Sequence, residues 1–262
     1  MRKILIAGNW KMNLNVSQSS LLLQRLHEKV KIHSDLEVVL APSMLALQPL
    51  SLQVDRRQFK LAAQNAYHKD GGAYTGEVSF TMLRDLVHYC IVGHSERRRI
   101  FEESQDEITA KVAAAFRNEI VPILCVGETK NERVDGETNQ VLHDQIMSAL
   151  LNVTDDDVEK LVVAYEPVWA IGTGDIAKPS QVEAAAKVIR NNVAELYGSK
   201  AADNFRILYG GSVKADTAGG YLNTPGIDGL LVGDASLNYQ QFAGIVEAAE
   251  RRLHNLKPKG DE

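Results

Sequence analysis

Cysteine is nearly absent. Only Cys90 and Cys125 occur in 262 residues, which excludes a disulfide scaffold and leaves no Cys/His set at zinc spacing. Both lie in apolar, strand-like runs, where a free cysteine behaves as a small buried hydrophobe. Excess basic charge is missing too. Against 34 Asp and Glu stand 29 Lys and Arg, a formal charge of −5, so neither a general nucleic-acid binder nor a polybasic membrane binder fits. An anionic ligand must therefore be drawn by a local site. No stretch approaches the ~18 unbroken apolar residues that suggest a membrane span. The opening run Ile4-Leu5-Ile6-Ala7-Gly8 is shorter than the ~7–15-residue core of a signal peptide, and Asn9-Trp10-Lys11 interrupts it. The sequon Asn152-Val153-Thr154 is then inert, and a soluble, cytoplasmic protein is expected. With 7 Pro and 19 Gly, the glycines at no fixed period, collagen-like and low-complexity classes fall away.

What is present is an ordinary globular composition, 45% hydrophobic and 24% charged, which excludes disorder. Short β-branched runs alternate with longer segments of helical period. The strand candidates are Lys3–Gly8, Glu37–Ala41, Lys60–Gln64, Cys90–Gly93, Val121–Gly127, Leu161–Glu166, Arg206–Gly210 and Gly229–Gly233. Each is nearly continuously apolar, as parallel strands covered on both faces are. Helices are predicted over Leu21–Val30, Ser104–Asn118 (opened by a Ser104/Glu107 capping box), Glu137–Leu151, Ser180–Tyr197 and Asn238–Leu253. In the last, Phe242, Ile245, Val246 and Ala249 share a face. Met44–Leu52, Ser79–Tyr89 and Lys214–Leu222 carry weaker helical signals. Eight strand-then-helix units with no linker predict an α/β fold, a closed (β/α)₈ TIM barrel forming a single domain over 1–262, with 257–262 a frayed tail. An open doubly wound sheet is the alternative. Gly8 is not followed by G-x-G-x-x-G, which disfavours dinucleotide binding.

In such a barrel function gathers just past the C-terminal ends of the strands. That rule selects Asn9 and Lys11, Gln64 and Asn65, His94 to Arg97, Gly127-Glu128, Glu166, Gly210-Gly211-Ser212, and Gly233-Asp234. Gly210-Gly211 after the seventh strand and Gly233 after the eighth, joined by Gly172-Thr173-Gly174, offer bare backbone N–H groups to an anion such as phosphate. The absence of G-x-x-x-x-G-K-[ST] argues against a nucleoside triphosphate. Glu166 reads either as a general base tuned by burial or as a rim carboxylate in a salt bridge. His94 reads either as a proton-transfer group or as a hydrogen-bonded structural residue. Lys11 is a cation placed to meet a substrate early, though most lysines are only solvated. Arg97-Arg98-Arg99 reads as a set of ion pairs with neighbours such as Glu102 and Glu103, and Asp155-Asp156-Asp157 as a helix cap or solvated loop. No H-E-x-x-H, G-x-S-x-G or EF-hand loop occurs.

Four motifs, in order, carry a resemblance. Asn9-Trp10-Lys11-Met12-Asn13, Gly93-His94-Ser95-Glu96-Arg97-Arg98, the stretch Ala164-Tyr165-Glu166-Pro167-Val168-Trp169-Ala170-Ile171-Gly172-Thr173-Gly174, and Tyr209-Gly210-Gly211-Ser212-Val213 closely resemble the triosephosphate isomerase family, and the likeness runs to Leu237. It implies interconversion of dihydroxyacetone phosphate and D-glyceraldehyde 3-phosphate in glycolysis and gluconeogenesis, with no cofactor and no metal. By the resemblance Glu166 is the base, His94 the neutral electrophile and Lys11 the cation steadying substrate and enediolate, with Asn9 beside it and Glu96 in support. Gly172, Ser212, Gly233 and the backbone of Asp234 would bind phosphate. Pro167 to Ala177 would form a lid latched by Trp169 and Tyr209. The loop Ala66–Ser79, longer than the usual ~4–6-residue connection, matches the family's dimer loop and implies a homodimer in which Thr75 braces the partner's site. Nucleic acid and membranes are not implied as partners.

Two positions depart from the family's pattern. Asp234 stands where many members have glycine; its side chain is expected to turn to solvent. Asp175 stands where the lid often carries lysine, at an exposed tip. Against the isomerase stand another phosphosugar barrel enzyme, an epimerase or lyase-type synthase, and a catalytically silent barrel acting as a binding protein.

Overall fold

A computed structural model describes residues 2–172 and 175–256. Eight parallel strands close into one barrel in sequence order. They are β1 (Ile4–Asn9), β2 (Leu36–Ala41), β3 (Lys60–Ala63), β4 (Tyr89–Val92), β5 (Val121–Val126), β6 (Val162–Tyr165), β7 (Arg206–Tyr209) and β8 (Gly229–Val232). Each pairs with the next, and β1 pairs with β8 through Leu5↔Gly229 to Gly8↔Val232. The predicted (β/α)₈ barrel is therefore the observed one; the open sheet is not.

The continuous apolar runs have two destinations. Ile4 and Ile6 of β1 face the shell between strands and helices, while Leu5 and Ala7 fill the barrel interior with Val39, Ile91, Ile123, Ala164, Leu208 and Leu231. Alternation is invisible in the sequence because both faces are dry. Cys90 packs in the shell and Cys125 in the interior, both buried free thiols.

The helices follow the periodicity with shifted ends. Val16–Lys29 begins earlier than expected, behind an Asn15/Gln18 capping box. Gln105–Arg117 has the predicted Ser104/Glu107 box. Phe242, Ile245, Val246 and Ala249 of Tyr239–Leu256 are all buried. Pro179–Asn204 outruns its prediction, with Gly198 at φ +80° marking a break between two helical pieces. The weak signals over Ser79–Tyr89 and Lys214–Leu222 shrink to Phe80–Leu83 and Ala218–Leu222. Asp155–Val158 forms a short helix capped by Thr154, with the Asp run in its first turn, where acidic side chains meet the positive end of the dipole. Among the described residues no helix is long and apolar enough to cross a membrane. The expected frayed tail, 257–262, lies outside the described residues, as do Thr173 and Gly174.

Candidate active site

The C-terminal ends of the strands surround a cavity of about 500 Å³. Asn9, Lys11, His94 and Glu166 line one part of it, and Gly172, Gly210, Gly211, Ser212, Gly233 and Asp234 line another. The structure thus brings together residues that lie more than two hundred positions apart in the chain.

Lys11 is held at three points. Its backbone sits at φ +52°, a left-handed conformation that non-glycine residues seldom adopt. The Asn9 Oδ1 accepts its N–H at 3.1 Å, and Gln64 Nε2 donates to its carbonyl at 2.9 Å and to Ala41 O at 2.9 Å. Its ammonium donates to Glu96 Oε1 at 2.6 Å. These contacts stabilise a backbone that would otherwise relax, and they aim the charge into the cavity.

His94 follows Gly93 at the end of β4 and caps the short helix Ser95–Ile100. Its Nδ1 accepts the Glu96 N–H at 3.2 Å. A ring nitrogen facing a backbone donor carries a lone pair, so in the neutral form of the imidazole the proton sits on Nε2. That Nε2 lies 3.0 Å from Glu166 Oε1. Glu166, at the end of β6, also accepts the Ser95 N–H on Oε2 at 2.9 Å. Gly210 leaves room for it: a Cβ there would lie 3.0 Å from Glu166 Cγ.

The electrostatics follow from these contacts. Burial pushes the Glu166 carboxyl up, but His94 and the Ser95 N–H outweigh it and hold the group below the ordinary carboxylate range. Burial pushes His94 down, but the adjacent Glu166 charge reverses the direction and raises it. Each shift depends on the other group remaining in contact.

Trp169 is held by Glu128 and Arg133. Its Nε1 donates to Glu128 Oε1 at 2.9 Å, and Arg133 stacks over its ring at 4.3 Å. The Glu128 carboxylate, fully buried, also accepts from Tyr165 Oη at 3.1 Å and Arg133 Nη1 at 2.9 Å. The Tyr209 ring stacks on Tyr221 at 4.1 Å, and its buried hydroxyl makes no hydrogen bond to a described residue. Tyr221 in turn donates to Ala177 O at 2.9 Å. The expected lid, Pro167–Ala177, is thus tied at Trp169 and Ala177, with Gly172 facing the cavity at φ +71°.

Other expectations are met in part. Arg97 pairs with Glu103 at 2.7 Å, but Glu102 forms no ion pair among the described residues. Arg98 instead donates to Gly93 O at 2.7 Å and Cys125 O at 3.0 Å, clamping the ends of β4 and β5. Asp234 is exposed, as expected, yet it lines the cavity. Asp175 is exposed. Thr75 lies on the exposed tip of its loop and is not part of this chain's own cavity. Lys214, Asn238 and Gln241 extend the wall and were missed. They sit several residues beyond β7 and β8, further than the strand-end rule reaches.

Barrel, rim and cavity-facing glycines define a (β/α)₈ barrel with an enzyme-like site at the C-terminal ends of its strands. The comparisons narrow the class. A family model described as triosephosphate isomerase matches residues 4–249. The triosephosphate isomerase of Clostridium tetani is 44% identical over 247 residues, covering 94% of this chain and 96% of that one. Those of Caldanaerobacter subterraneus subsp. tengcongensis and Chloroherpeton thalassium are 44% and 43% identical, covering 94% and 95% of this chain and 99% and 100% of theirs. The chain belongs to the triosephosphate isomerase family.

Proposed function

We propose that this cavity interconverts dihydroxyacetone phosphate and D-glyceraldehyde 3-phosphate, with Glu166 as the base, His94 as the electrophile and Lys11 as the stabilising cation. The reaction moves a proton between adjacent carbons through an enediol(ate), a step of glycolysis that runs in reverse in gluconeogenesis. The observation that carries the reading is the 3.0 Å approach of Glu166 Oε1 to His94 Nε2 over a cavity they share with Lys11.

A carboxylate removes a carbon-bound proton only when the developing enediolate is stabilised. The His94 Nε2–H and the Lys11 ammonium supply that stabilisation, worth on the order of 3–4 kcal/mol per preorganised donor. A neutral imidazole, closer in acidity to an enediol than an imidazolium is, also shuttles a proton between the two oxygens. Glu166 gains basicity as it works: leaving Ser95 and His94 removes the contacts that lower its pKa and leaves burial, which raises it. Gly172, Ser212, Gly233 and the Asp234 backbone hold the phosphate. Closure of the Pro167–Ala177 segment excludes water, which would otherwise favour loss of phosphate from the enediol.

The same reading makes the protein a cytoplasmic homodimer. The loop Ala66–Ser79 is exposed from Lys69 to Glu77, and Met12, Leu45, Met82, Ile100 and Phe101, which follow β1, β2, β3 and β4, are all exposed apolar side chains. Exposed apolar side chains beyond four neighbouring strand ends suit an interface, and a second copy inserting Thr75 beside Asn9, Lys11 and His94 completes each site. The test is a coupled assay with D-glyceraldehyde 3-phosphate, with and without 2-phosphoglycolate. Turnover blocked by the inhibitor is expected; no turnover would overturn the reading.

A further inference from the structure

Among the described residues that line the active-site cavity, four carry formal charge: Lys11, Glu166, Lys214 and Asp234. Lys11 is paired with Glu96, and Glu166 is held by Ser95 and His94. The Asp234 carboxylate has no hydrogen bond or ion pair with any described residue, and Lys214, on the same wall, forms no ion pair with it. Asp234 follows Gly233, where a Cβ would lie 3.8 Å from Lys11 Nζ. A carboxylate with no partner among the described residues thus belongs to the residue next to Gly233, where the lysine approaches a wall otherwise built from Gly172, Gly210, Gly211 and Ser212.

We propose that Asp234 is a specificity-determining residue that opposes the second negative charge of a bound phosphate. The wall then holds a dianion less tightly than its donors alone would and releases it sooner. The inference rests on the reading that this end of the cavity takes the phosphate of the substrate. Coulomb repulsion grows with the ligand's charge, so the penalty falls more heavily on a phosphate dianion than on a sulfonate monoanion of similar shape. Because Asp234 is exposed, salt weakens the effect.

The experiment compares inhibition by 2-phosphoglycolate and by sulfoacetate in the native protein, in Asp234→Asn and in Asp234→Gly, at low and high ionic strength. Both substitutions are expected to tighten 2-phosphoglycolate by about three- to tenfold at low salt. The gain should be smaller for sulfoacetate and shrink at high salt. Asp234→Asn keeps the side chain's shape and separates charge from backbone freedom. Unchanged or weaker phosphoglycolate inhibition in both variants, or equal gains for the two inhibitors, would overturn the inference. Absence of phosphoglycolate inhibition in the native protein would overturn the phosphate reading itself, and this inference with it.

Discussion

Glu166 is parked against His94: its Oε1 lies 3.0 Å from the imidazole Nε2 while its Oε2 accepts the Ser95 N–H. The base must leave both partners to reach a substrate carbon, so its reach is set by its length. Glu166→Asp retracts the carboxylate by one methylene, and about 1 Å of misplacement costs ~10²-fold in rate. A fall in kcat of that size, with 2-phosphoglycolate affinity little changed, is expected in the coupled assay. Unaltered turnover would remove Glu166 from the role of base.

The same pair sets a pH dependence. Glu166 is lowered, so its contribution to stability is present above the unfolded carboxylate pKa of about 4.3 and lost as pH falls through its folded value. His94 is raised, so its contribution is present below about 6.5 and lost as pH rises through its folded value. Their mutual stabilisation is greatest in the window between. His94→Asn removes the principal partner of Glu166 and leaves burial opposed chiefly by the Ser95 N–H. The acid limb of kcat/KM should then move to higher pH and kcat should fall by about 10²–10⁴-fold. Thermal melts of native and variant protein from pH 4 to 8 check the window: the gap between them should close at both ends.

Glu128 was visible in the sequence only as a strand-end residue without a role. In the structure three donors meet its buried carboxylate, and one belongs to the base of the expected lid. Arg133→Ala removes the cation and the platform under Trp169, leaving Tyr165 and Trp169 as donors. A loss of about 1.5–3 kcal/mol is expected in denaturant unfolding, the range for hydrogen bonds to charged groups. A higher KM should accompany it because Trp169 loses its stacking partner. Unfolding at native denaturant concentration with native KM would show that Arg133 supports neither.

The strands were legible because dryness on both faces makes each a short apolar block, and the Ser104 capping box and the Phe242–Ala249 face were legible because each is a local rule. Ser95–Ile100 was not. At six residues it is too short to show a period, and its cap is the His94 imidazole rather than a typical capping residue. The rim was legible wherever one side chain sits directly past a strand, as with Lys11, His94 and Glu166. It was not where a residue acts through a contact across the barrel. Tyr221 reaches Ala177, and Gln64 holds the carbonyl of Lys11, through pairings of distant segments that no local pattern records. The strained φ of Lys11 was equally hidden, since the usual mark of such a backbone is glycine.

The loop proposed to enter the partner's site is anchored at Asp70. Arg117 donates to both of its carboxylate oxygens, at 3.1 and 3.2 Å from Nη2, and Asn118 Nδ2 donates at 3.2 Å. The Arg117 Nη2 also reaches His68 O at 3.4 Å, while the Tyr67 and Tyr74 rings pack at 4.7 Å, tilted by 47°. A loop held in its bound shape loses less entropy on association, so these contacts favour the dimer without touching the partner. Exposed ion pairs add little to the stability of a single chain, and Asp70→Ala should leave monomer unfolding close to native. It should instead weaken dimerisation, with activity per milligram falling on dilution and recovering as concentration rises. Sedimentation and a dilution series measure the two together. Activity lost equally at every concentration, with dimers intact, would mean that Asp70 shapes the site itself and not the association that completes it.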